Sequence, residues 1–385
     1  MHYYTPTKLF IEEDERNIGK IIKEYGFLRV LVVYGKSSAE KSGLLDTVKQ
    51  SLEENEIAYI LCGGVSANPT LSFVREALKI EEEYDMILAI GGGSAIDTAK
   101  SISASKANGV DPWEYNSGAL KPEKNIPVGV ILTIAASGSE MSDSCVLTND
   151  ETNEKRGFNS DFNRPLFALT NPKLTFSVSR YQTACGVVDI MMHTLERFIS
   201  NDEDELADNL SIALLKTVYD NGLKAYFHPD DYEARKQLLL ASSFSHNGLT
   251  GVGKKYQFRV HKLEHVISGF YPGVSHGAGL SACFIAYSKY VMADPIMMPK
   301  YARLAREVFG VKPTYNAERD AAMGIYKMEV YFSKMGMPIK LSQLRIDKEE
   351  ASRFALQATE NKTQVIKDFK DLGYEEVLEI YKRMF

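Results

Sequence analysis

Short apolar runs alternate with amphipathic stretches over the first 180 residues of the chain. The runs 29–35, 57–62, 86–90 and 128–133 are continuous and bounded by turn residues, which predicts buried strands. Between them, the segments 42–54, 71–83 and 94–106 carry apolar residues at helical spacing. Strands and helices that alternate at this rhythm favour βαβ units and a parallel sheet covered on both faces. The pattern therefore predicts an α/β domain over residues 1–177.

The pattern changes near residue 178. From there on, apolar residues recur at i, i+3 and i+4 over the long windows 182–199, 204–226, 232–244, 297–309 and 316–335. This predicts an all-helical second domain over residues 178–385. A length of 385 residues, at roughly 150 residues per domain, agrees with two domains.

Composition excludes several classes of partner. The 45 basic and 51 acidic residues give a net charge of −6, whereas binding to nucleic acid or an anionic membrane needs a basic surface. The four cysteines lie far apart without a CxxC pair, which is typical of reduced thiols in a cytoplasmic protein. No signal peptide is visible, and the longest apolar run is half of what a bilayer span needs. We therefore expect a cytoplasmic protein that binds neither membranes nor nucleic acids.

A glycine-rich segment, GGGSAIDTAK at 91–100, follows the third predicted strand and opens a predicted helix. Its glycines let the backbone approach a bulky anion, toward which the free N–H groups of the helix terminus point. Ser94 followed by Asp97 resembles a capping box. The segment matches neither GxxxxGK[ST] nor GxGxxG, whose last position here is Ile96. A nucleotide pyrophosphate and a tight turn without any ligand are both compatible with this loop alone. A second small-residue segment, LTIAASGSEMSDS at 132–144, is suited to cupping the nicotinamide end of such a ligand.

Four of the seven histidines form two groups in the second predicted domain. Asp189 and His193 are four residues apart in a helical stretch, so both lie on one face within reach of a common ion. His261 and His265 repeat this spacing, and His276 follows. One carboxylate and three imidazoles suit Fe²⁺ or Zn²⁺ and leave a coordination position for substrate. Five candidates exceed the usual four ligands, so one histidine is expected to support the site or relay a proton. The other histidines, His2, His228 and His246, are interpreted as surface, loop or core residues.

Taken in order, GGGSxxDxxK, TIAASGSE, a DxxxH helix and HxxxH followed by HGAGL resemble the iron-containing (group III) alcohol dehydrogenases. The butanol dehydrogenase and aldehyde reductase branch is the most similar, and the likeness extends over nearly the whole chain. The resemblance implies a two-domain fold of the dehydroquinate synthase type. In that fold a Rossmann-like nucleotide-binding domain faces a helical metal-binding domain across the active-site cleft.

Carried over residue by residue, the resemblance implies the metal ligands Asp189, His193, His261 and His276, with His265 beside them as a non-ligand. It implies that Gly92, Gly93 and Ser94 hold the pyrophosphate. The residues expected around the rest of the cofactor are Asp97, Thr133, Ser137 and Leu174.

The chain departs from the family pattern at three places. His261 and His276 are fifteen residues apart where the family usually has fourteen, and we expect the extra residue in the YPGVS turn. The family's common GRGGDW reads GKKYQF at 253–258, so the substrate entrance or the support of the ligands is expected to differ. Ser137 stands where threonine is usual, which keeps the hydroxyl.

The residues after the first strand bear on the choice of cofactor. NAD-specific members tend to place an acid there, which binds the ribose 2′-OH and repels a 2′-phosphate. Here Tyr34 is followed by Gly35, Lys36, Ser37 and Ser38, without an acid. We expect Gly35, Ser37 and Ser38 to contact the cofactor, and NADP(H) to be preferred over NAD(H).

The resemblance implies a metal-dependent, NAD(P)H-linked oxidoreductase that interconverts small primary alcohols and aldehydes, with the metal polarising the substrate oxygen. His265 is the expected catalytic proton relay. A homodimer is the default expectation for such an enzyme. Two alternatives on the same fold stay open, a glycerol or polyol dehydrogenase and a metal-dependent lyase similar to dehydroquinate synthase.

Overall fold

The computed structural model describes residues 3–36, 38–367 and 369–385, and of Ser38 the backbone alone. The chain forms two compact units. The N-terminal unit comprises Tyr4–Ser177, and the C-terminal unit comprises Val178–Phe385 together with Tyr3.

A six-stranded parallel sheet forms the centre of the N-terminal unit, in the order β1-β8-β5-β4-β2-β3. Its strands are β1 (Lys8–Ile11), β2 (Arg29–Gly35), β3 (Ala58–Val65), β4 (Met86–Gly91), β5 (Val128–Leu132) and β8 (Phe167–Thr170). The central strands β2, β4 and β5 are buried along almost their whole length. They are continuous apolar runs because helices cover both faces of the sheet.

Six α-helices, several short 3-10 turns and one hairpin complete the described part of this unit. The helices are α1 (Ile18–Glu24), α2 (Ser38–Lys41), α3 (Leu44–Glu54), α4 (Leu71–Ala77), α5 (Gly93–Asn108) and α6 (Pro112–Asn116). The antiparallel hairpin joins β6 (Ser144–Asn149) to β7 (Glu154–Asn159). The helix predicted to run to Glu83 ends at Ala77, where the backbone closes in turns at Lys79 and Ile80. The chain leaves the helix there and buries Tyr84, so tertiary packing outweighs the local helical pattern.

The C-terminal unit is helical, and within its described residues there is no strand beyond the isolated bridge between Ile366 and Leu372. Its helices are α7 (Arg180–Phe198), α8 (Glu205–Phe227), α9 (Tyr232–His246), α10 (Arg259–Phe270), α11 (His276–Val291), α12 (Met297–Glu307), α13 (Ala317–Lys334), α14 (Ala351–Ala358) and α15 (Tyr374–Lys382). Every residue of α7 from Thr183 onward is buried. A helix buried all round carries polar side chains only where they have partners or a function, and α7 carries Asp189, His193, Glu196 and Arg197.

Side chains fix several helix starts. Ser179 accepts a hydrogen bond from the backbone N–H of Gln182 at the start of α7, and Asp204 does the same for Ala207 in α8. Among the described residues, no helix combines the length and apolar character that crossing a membrane requires.

Candidate metal centre and cofactor loop

Three helices of the C-terminal unit bring one carboxylate and three imidazoles together. Asp189 and His193 lie one turn apart on α7, His261 lies on α10, and His276 is the first residue of α11. Asp189 Oδ1 is 3.6 Å from His193 Nδ1, 3.7 Å from His261 Nε2 and 3.8 Å from His276 Nε2. One oxygen therefore faces three imidazole nitrogens, and the four side chains are those that sequence reasoning proposed as ligands.

The distances between these donor atoms suit coordination of one shared cation better than hydrogen bonds between the side chains. Asp189 Oδ1, His193 Nδ1 and His261 Nε2 are buried and have no hydrogen-bond partner. Their separations are too long for hydrogen bonds. Ligand atoms that each lie about 2.1 Å from one tetrahedral cation are about 3.4 Å apart, close to the separations here. A buried donor set left without partners is costly unless an ion occupies it, so these residues fit Fe²⁺ or Zn²⁺.

Two buried glutamates, which sequence reasoning missed, hold two of the imidazoles. Glu196 accepts a hydrogen bond from His261 Nδ1, and Glu264 accepts one from His276 Nδ1. Both glutamates are fully buried. Bonding of Nδ1 to a carboxylate leaves Nε2 as the ligating atom. A signal was present in the sequence, since each glutamate follows a candidate ligand by three residues on one helical face, His193 and His261 respectively.

The electrostatic environments of His193 and His261 differ. Burial lowers the pKa of His193 well below its ordinary value, and the neighbouring rings of His246 and His261 lower it further. Burial also acts to lower the pKa of His261, but the carboxylates of Glu196 and Asp189 outweigh it and raise that pKa to about 9. The negative charge that favours a proton on His261 equally favours a divalent cation at the same nitrogen.

His265 lies beside the donor set and outside it. Its ring centroid is 5.5 Å from that of His276 and 6.4 Å from that of His261. Glu264, His265 and His276 also place donor atoms within 4.8 Å of one another. We interpret this second group as residues that support the first centre and not as a separate metal site. The reason is that His276 Nε2 faces Asp189, while His276 Nδ1 donates a hydrogen bond to Glu264.

Arg197 and His246 form a further part of the surroundings; sequence reasoning interpreted His246 as a loop or core residue and did not single out Arg197. The His246 ring lies 4.1 Å from the His193 ring, centroid to centroid. The buried Arg197 guanidinium donates to the carbonyls of His193 and Ser245 and contacts His246 Nδ1 at 3.2 Å. The Phe258 ring stands edge-on to the His193 ring at 5.7 Å. These contacts fix the environment of His193, which has no glutamate of its own among the hydrogen bonds of the described residues.

The GKKYQF segment divides into a core part and a part that faces the centre. Lys254 is buried and forms an ion pair with Asp208 at 2.5 Å. Tyr256 and Phe258 instead stack against the guanidinium of Arg197, at 4.9 and 4.8 Å from the ring centroids. Part of the GKKYQF segment therefore lies beside His193, through Phe258 and the Arg197 guanidinium.

In the N-terminal unit, the candidate cofactor residues lie at the carboxyl ends of parallel strands. Gly35 ends β2, Gly92 to Ser94 follow β4, Thr133 and Ser137 follow β5, and Leu174 follows β8 in a short 3-10 turn. Ligands of open parallel sheets bind at this edge. Ser37 and the side chain of Ser38, which were also predicted to contact the cofactor, lie outside the described residues.

The glycine loop leaves no room for side chains. Gly91 has φ +154°, and Gly92 precedes the first turn of α5. A Cβ on Gly92 would lie 2.3 Å from Ile134 Cγ2, and one on Gly93 would lie 2.5 Å from Ser137 Oγ. The backbone of the loop after β4 therefore packs directly against side chains of the loop after β5, at the N-terminus of α5. This is the geometry in which free N–H groups receive a phosphate.

Asp97 does not form the capping box that its spacing from Ser94 predicted. The N-terminal cap of α5 is Gly92, without a side-chain hydrogen bond. The Asp97 carboxylate instead accepts from Ser139 Oγ at 2.5 Å and from the Val146 N–H at 3.1 Å. A small residue at the cap leaves the helix terminus open toward a ligand, and the acid one turn on is used to hold the neighbouring loop.

Family models match both parts of the chain. Iron-containing alcohol dehydrogenase matches residues 6–172, and the C-terminal part of the Fe-containing alcohol dehydrogenase family matches residues 183–385. The chain belongs to the iron-containing alcohol dehydrogenase family. The predicted family, the Rossmann-like and helical fold class, and a metal-dependent oxidoreductase acting between alcohols and aldehydes are thereby confirmed. No comparison favours the polyol or lyase alternative.

Similar proteins span the branch that the motifs indicated. The chain is 37% identical over 390 residues to NADH-dependent butanol dehydrogenase A of Clostridium acetobutylicum, covering 100% of this chain and 99% of that one. It is 30% identical over 326 residues to the NADPH-dependent aldehyde reductase YqhD of Escherichia coli, covering 83% and 82%. The crystal structure of NADH-dependent butanol dehydrogenase A from Thermotoga maritima aligns with a TM-score of 0.94 at 30% identity, covering 100% and 98%.

Proposed function

We propose that this member of the family interconverts small primary alcohols and aldehydes at the centre formed by Asp189, His193, His261 and His276. The observation that carries the proposal is the convergence of three imidazole nitrogens on Asp189 Oδ1, each within 3.6–3.8 Å. A divalent ion, Fe²⁺ or Zn²⁺, and a nicotinamide nucleotide supply Lewis-acid polarisation of the substrate oxygen and hydride exchange, respectively. Butanol dehydrogenase and aldehyde reductase relatives support the substrate class.

The residues of the centre share the work of holding the ion. Asp189 contributes the anionic oxygen, and His193, His261 and His276 contribute neutral nitrogens. Three nitrogens and one oxygen would fill a tetrahedral shell, so the substrate oxygen would bind as a fifth ligand, a coordination number to which catalytic centres can expand. His193→Ala is expected to remove bound metal and activity together. Near-normal turnover by the metal-free variant would contradict the scheme.

His265 is proposed as the residue that moves the proton between the substrate oxygen and water. It is partly exposed, and its ring lies 5.5 Å from that of His276, so it adjoins both the centre and solvent. An imidazole with this placement suits general acid–base transfer near neutral pH.

The cofactor is proposed to bind at the carboxyl ends of the strands, with its pyrophosphate at Gly92, Gly93 and Ser94. Asp97, Thr133, Ser137 and Leu174 complete the proposed site around the remainder of the nucleotide. For Asp97 the support is indirect, because its carboxylate holds Ser139 in the adjoining loop.

NADP(H) is proposed as the preferred cofactor. Gly35 ends β2 and Lys36 follows it, without an acid that would repel a 2′-phosphate, and Lys36 is exposed. Relatives of both kinds occur, since the butanol dehydrogenases are NADH-dependent and YqhD is NADPH-dependent. The test is kcat/KM with each nucleotide in the wild type and in Lys36→Glu, which should lose preference for NADPH. A wild type that favours NADH by tenfold or more would overturn the preference.

A cytoplasmic homodimer completes the proposal. The four cysteines are all free and buried, as expected of reduced thiols. Light scattering after size exclusion gives the oligomeric state.

The decisive experiment for the function is a panel of aldehydes and alcohols assayed in both directions, after loading with Fe²⁺ or Zn²⁺. Metal analysis should give about one ion per chain. Absence of a net change in nicotinamide absorbance with every substrate would overturn the proposed reaction.

A further inference from the structure

Glu264 occupies a fully buried place between the two helices that carry His261 and His276. It lies on α10, three residues after His261. One carboxylate oxygen accepts from Ser268 Oγ on the next turn, and the other accepts from His276 Nδ1 on α11. The carboxylate therefore links the ring of His276 to the helix that already supplies another candidate ligand.

The glycine pattern of HGAGL makes room for this link. A Cβ on Gly279 would lie 2.7 Å from Glu264 Cγ and 2.8 Å from Glu264 Oε1. A Cβ on Gly277 would lie 2.2 Å from the Cys185 carbonyl oxygen, one turn before Asp189 on α7. Gly277 thus lets α11 approach α7, and Gly279 leaves the space that the Glu264 side chain fills.

The turn before His276 anchors the start of α11, because the Ser275 side chain hydrogen-bonds to Tyr181 and Cys185 on α7. The hydrogen bond from the His276 ring itself is accepted by Glu264. His276 is the first residue of α11, and the preceding Ser275 makes no side-chain capping bond. Gly273 in the YPGVS turn has no heavy atom within 4 Å of the position that a Cβ would occupy. This turn is where the extra residue relative to the family spacing is expected, yet His276 Nε2 still lies 3.8 Å from Asp189 Oδ1.

We propose that Glu264 is a positioning residue, which turns His276 Nε2 toward Asp189 and so sets the fourth ligand through a side-chain link to α10, independently of the length of the YPGVS turn. The inference rests on the proposed metal function of the centre. Glu196 bonds the His261 ring in a similar way, but it also accepts from the backbone N–H groups of Val260 and His261 at 2.5 and 3.2 Å. Glu196 therefore also supports the start of α10, which makes Glu264 the better residue for testing an effect on ligand orientation.

The test measures Co²⁺ binding to the metal-free full-length protein by visible absorption, with Co²⁺ as a spectroscopic probe. Glu264→Gln keeps the shape but removes the charge, and it should weaken Co²⁺ binding by about 10- to 100-fold. The ligand-field bands should also change, because the nitrogen of His276 is no longer held in place. Glu379→Gln, an exposed residue paired with Arg383 on α15, is the matched control and should bind as the wild type does.

A pair of glycine substitutions shows whether the orientation of His276 depends on the contact with Glu264 or on the YPGVS turn. Gly279→Ala intrudes on Glu264 and should weaken Co²⁺ binding in the same direction as Glu264→Gln. Gly273→Ala adds the same methyl group to the open turn and should leave the affinity within about twofold of the wild type. If Glu264→Gln fails to fold by circular dichroism, Ser268→Ala takes its place. It frees one carboxylate oxygen and should weaken Co²⁺ binding measurably and alter the bands.

The outcomes are distinct. Wild-type affinity and bands in Glu264→Gln would overturn the positioning role, and so would a Gly273→Ala effect as large as that of Gly279→Ala. Wild-type binding in Ser268→Ala, where Glu264→Gln cannot be folded, would overturn it as well. A wild type that binds no Co²⁺, Zn²⁺ or Fe²⁺ would instead refute the proposed metal centre itself.

Discussion

His261 and His265 lie one helical turn apart on α10 and differ in their position relative to the candidate centre. On α10, His261 turns Nε2 toward Asp189, while His265 lies to the side with a ring centroid 6.4 Å from that of His261. His261 is buried, whereas His265 is partly exposed. A metal ligand benefits from exclusion of water, whereas a proton relay needs contact with it. This difference supports the separate roles proposed for the two histidines.

His265→Ala should therefore keep bound metal and lose turnover. General acid–base transfer contributes about 10²- to 10⁴-fold to rate, so kcat is expected to fall by at least about 10²-fold while metal content stays near that of the wild type. Metal analysis and steady-state kinetics on the same preparation give both values. Added imidazole should restore part of the rate. His228→Ala, on an exposed histidine at the end of α8, is the control. Complete loss of metal from His265→Ala would make His265 a ligand.

Gly93→Ala should weaken binding of the nucleotide. The added methyl group would lie 2.5 Å from Ser137 Oγ, so the loop after β5 or the start of α5 must shift by several tenths of an ångström. Such a shift moves N–H groups away from a phosphate that they are proposed to bind. We expect the KM for NADPH to rise at least about tenfold with little change in metal content. Lys106→Ala, at the far end of the same helix, should leave this KM unchanged. An unaltered KM in Gly93→Ala would remove the pyrophosphate from this loop.

At the scale of elements, Lys100 joins α5 to the segment that precedes and begins β6. Its fully buried ammonium donates to the carbonyls of Ser139, Ser142 and Ser144 at 2.7–3.1 Å. Asp97 lies 4.0 Å from the ammonium and holds Ser139 from the other side. Burial lowers the pKa of Lys100 and raises that of Asp97, and their mutual attraction opposes both shifts. The pair therefore fixes the loop that the cofactor is proposed to contact.

Lys100→Met should destabilise the N-terminal unit by about 3 kcal/mol, because several buried carbonyl acceptors lose their hydrogen-bond donor and the Asp97 carboxylate loses its cationic neighbour. A loss of this size corresponds to a fall in Tm of roughly 6–12 °C for a unit of this length. Calorimetry measures it. Lys106→Met is the matched control on the same helix, since its ammonium donates to the Ile80 carbonyl at an exposed site. A Tm change in Lys100→Met no larger than the control's would show that the ammonium is dispensable.

The elements that the sequence predicted are those with a long or continuous pattern. The strands β2, β4 and β5 were expected from apolar runs, and α7, α8 and α13 from helical periodicity. The edge strand β1 and its neighbour β8 were missed because four residues, Lys8–Ile11 and Phe167–Thr170, are too short to show a period. The hairpin of β6 and β7 was missed because neither six-residue strand is a continuous apolar run: β6 reads SCVLTN, and β7, EKRGFN, is mostly polar and charged.

The candidate centre was predictable where spacing carries the information. Asp189 and His193 are i, i+4 on one helix, and that spacing alone places them together. Glu196 and Glu264 were missed because a glutamate at a helical position is usually a solvated charge, and burial depends on the neighbouring helices. His246 was interpreted as background because its contact with His193 joins α9 to α7 across 53 positions of sequence. Contacts of this kind come from tertiary packing and leave no local pattern.

At the scale of the whole molecule, the proposed metal and nucleotide residues belong to different units, each with its own core. A ligand that binds only the folded state stabilises the part of the chain that it binds, by RT ln(1 + [L]/Kd). At a concentration about 100 times Kd the gain is about 2.7 kcal/mol, or roughly 5–10 °C in Tm for units of this size. The unfolding of a two-unit chain need not be a single transition.

Metal and NADPH should therefore act on different parts of the unfolding profile. Calorimetry of the metal-free protein, with Zn²⁺ or NADPH added alone, should show each ligand shifting the transition of one unit. Asp189→Asn should abolish the Zn²⁺ shift and keep the NADPH shift, and Gly93→Ala should do the reverse. These two variants serve as controls for each other, because each leaves the other proposed site intact. If Asp189→Asn abolished both shifts to the same extent, the two ligands would depend on one another for binding. The assignment of separate sites to separate units would then fail, even though the enzyme could still use both.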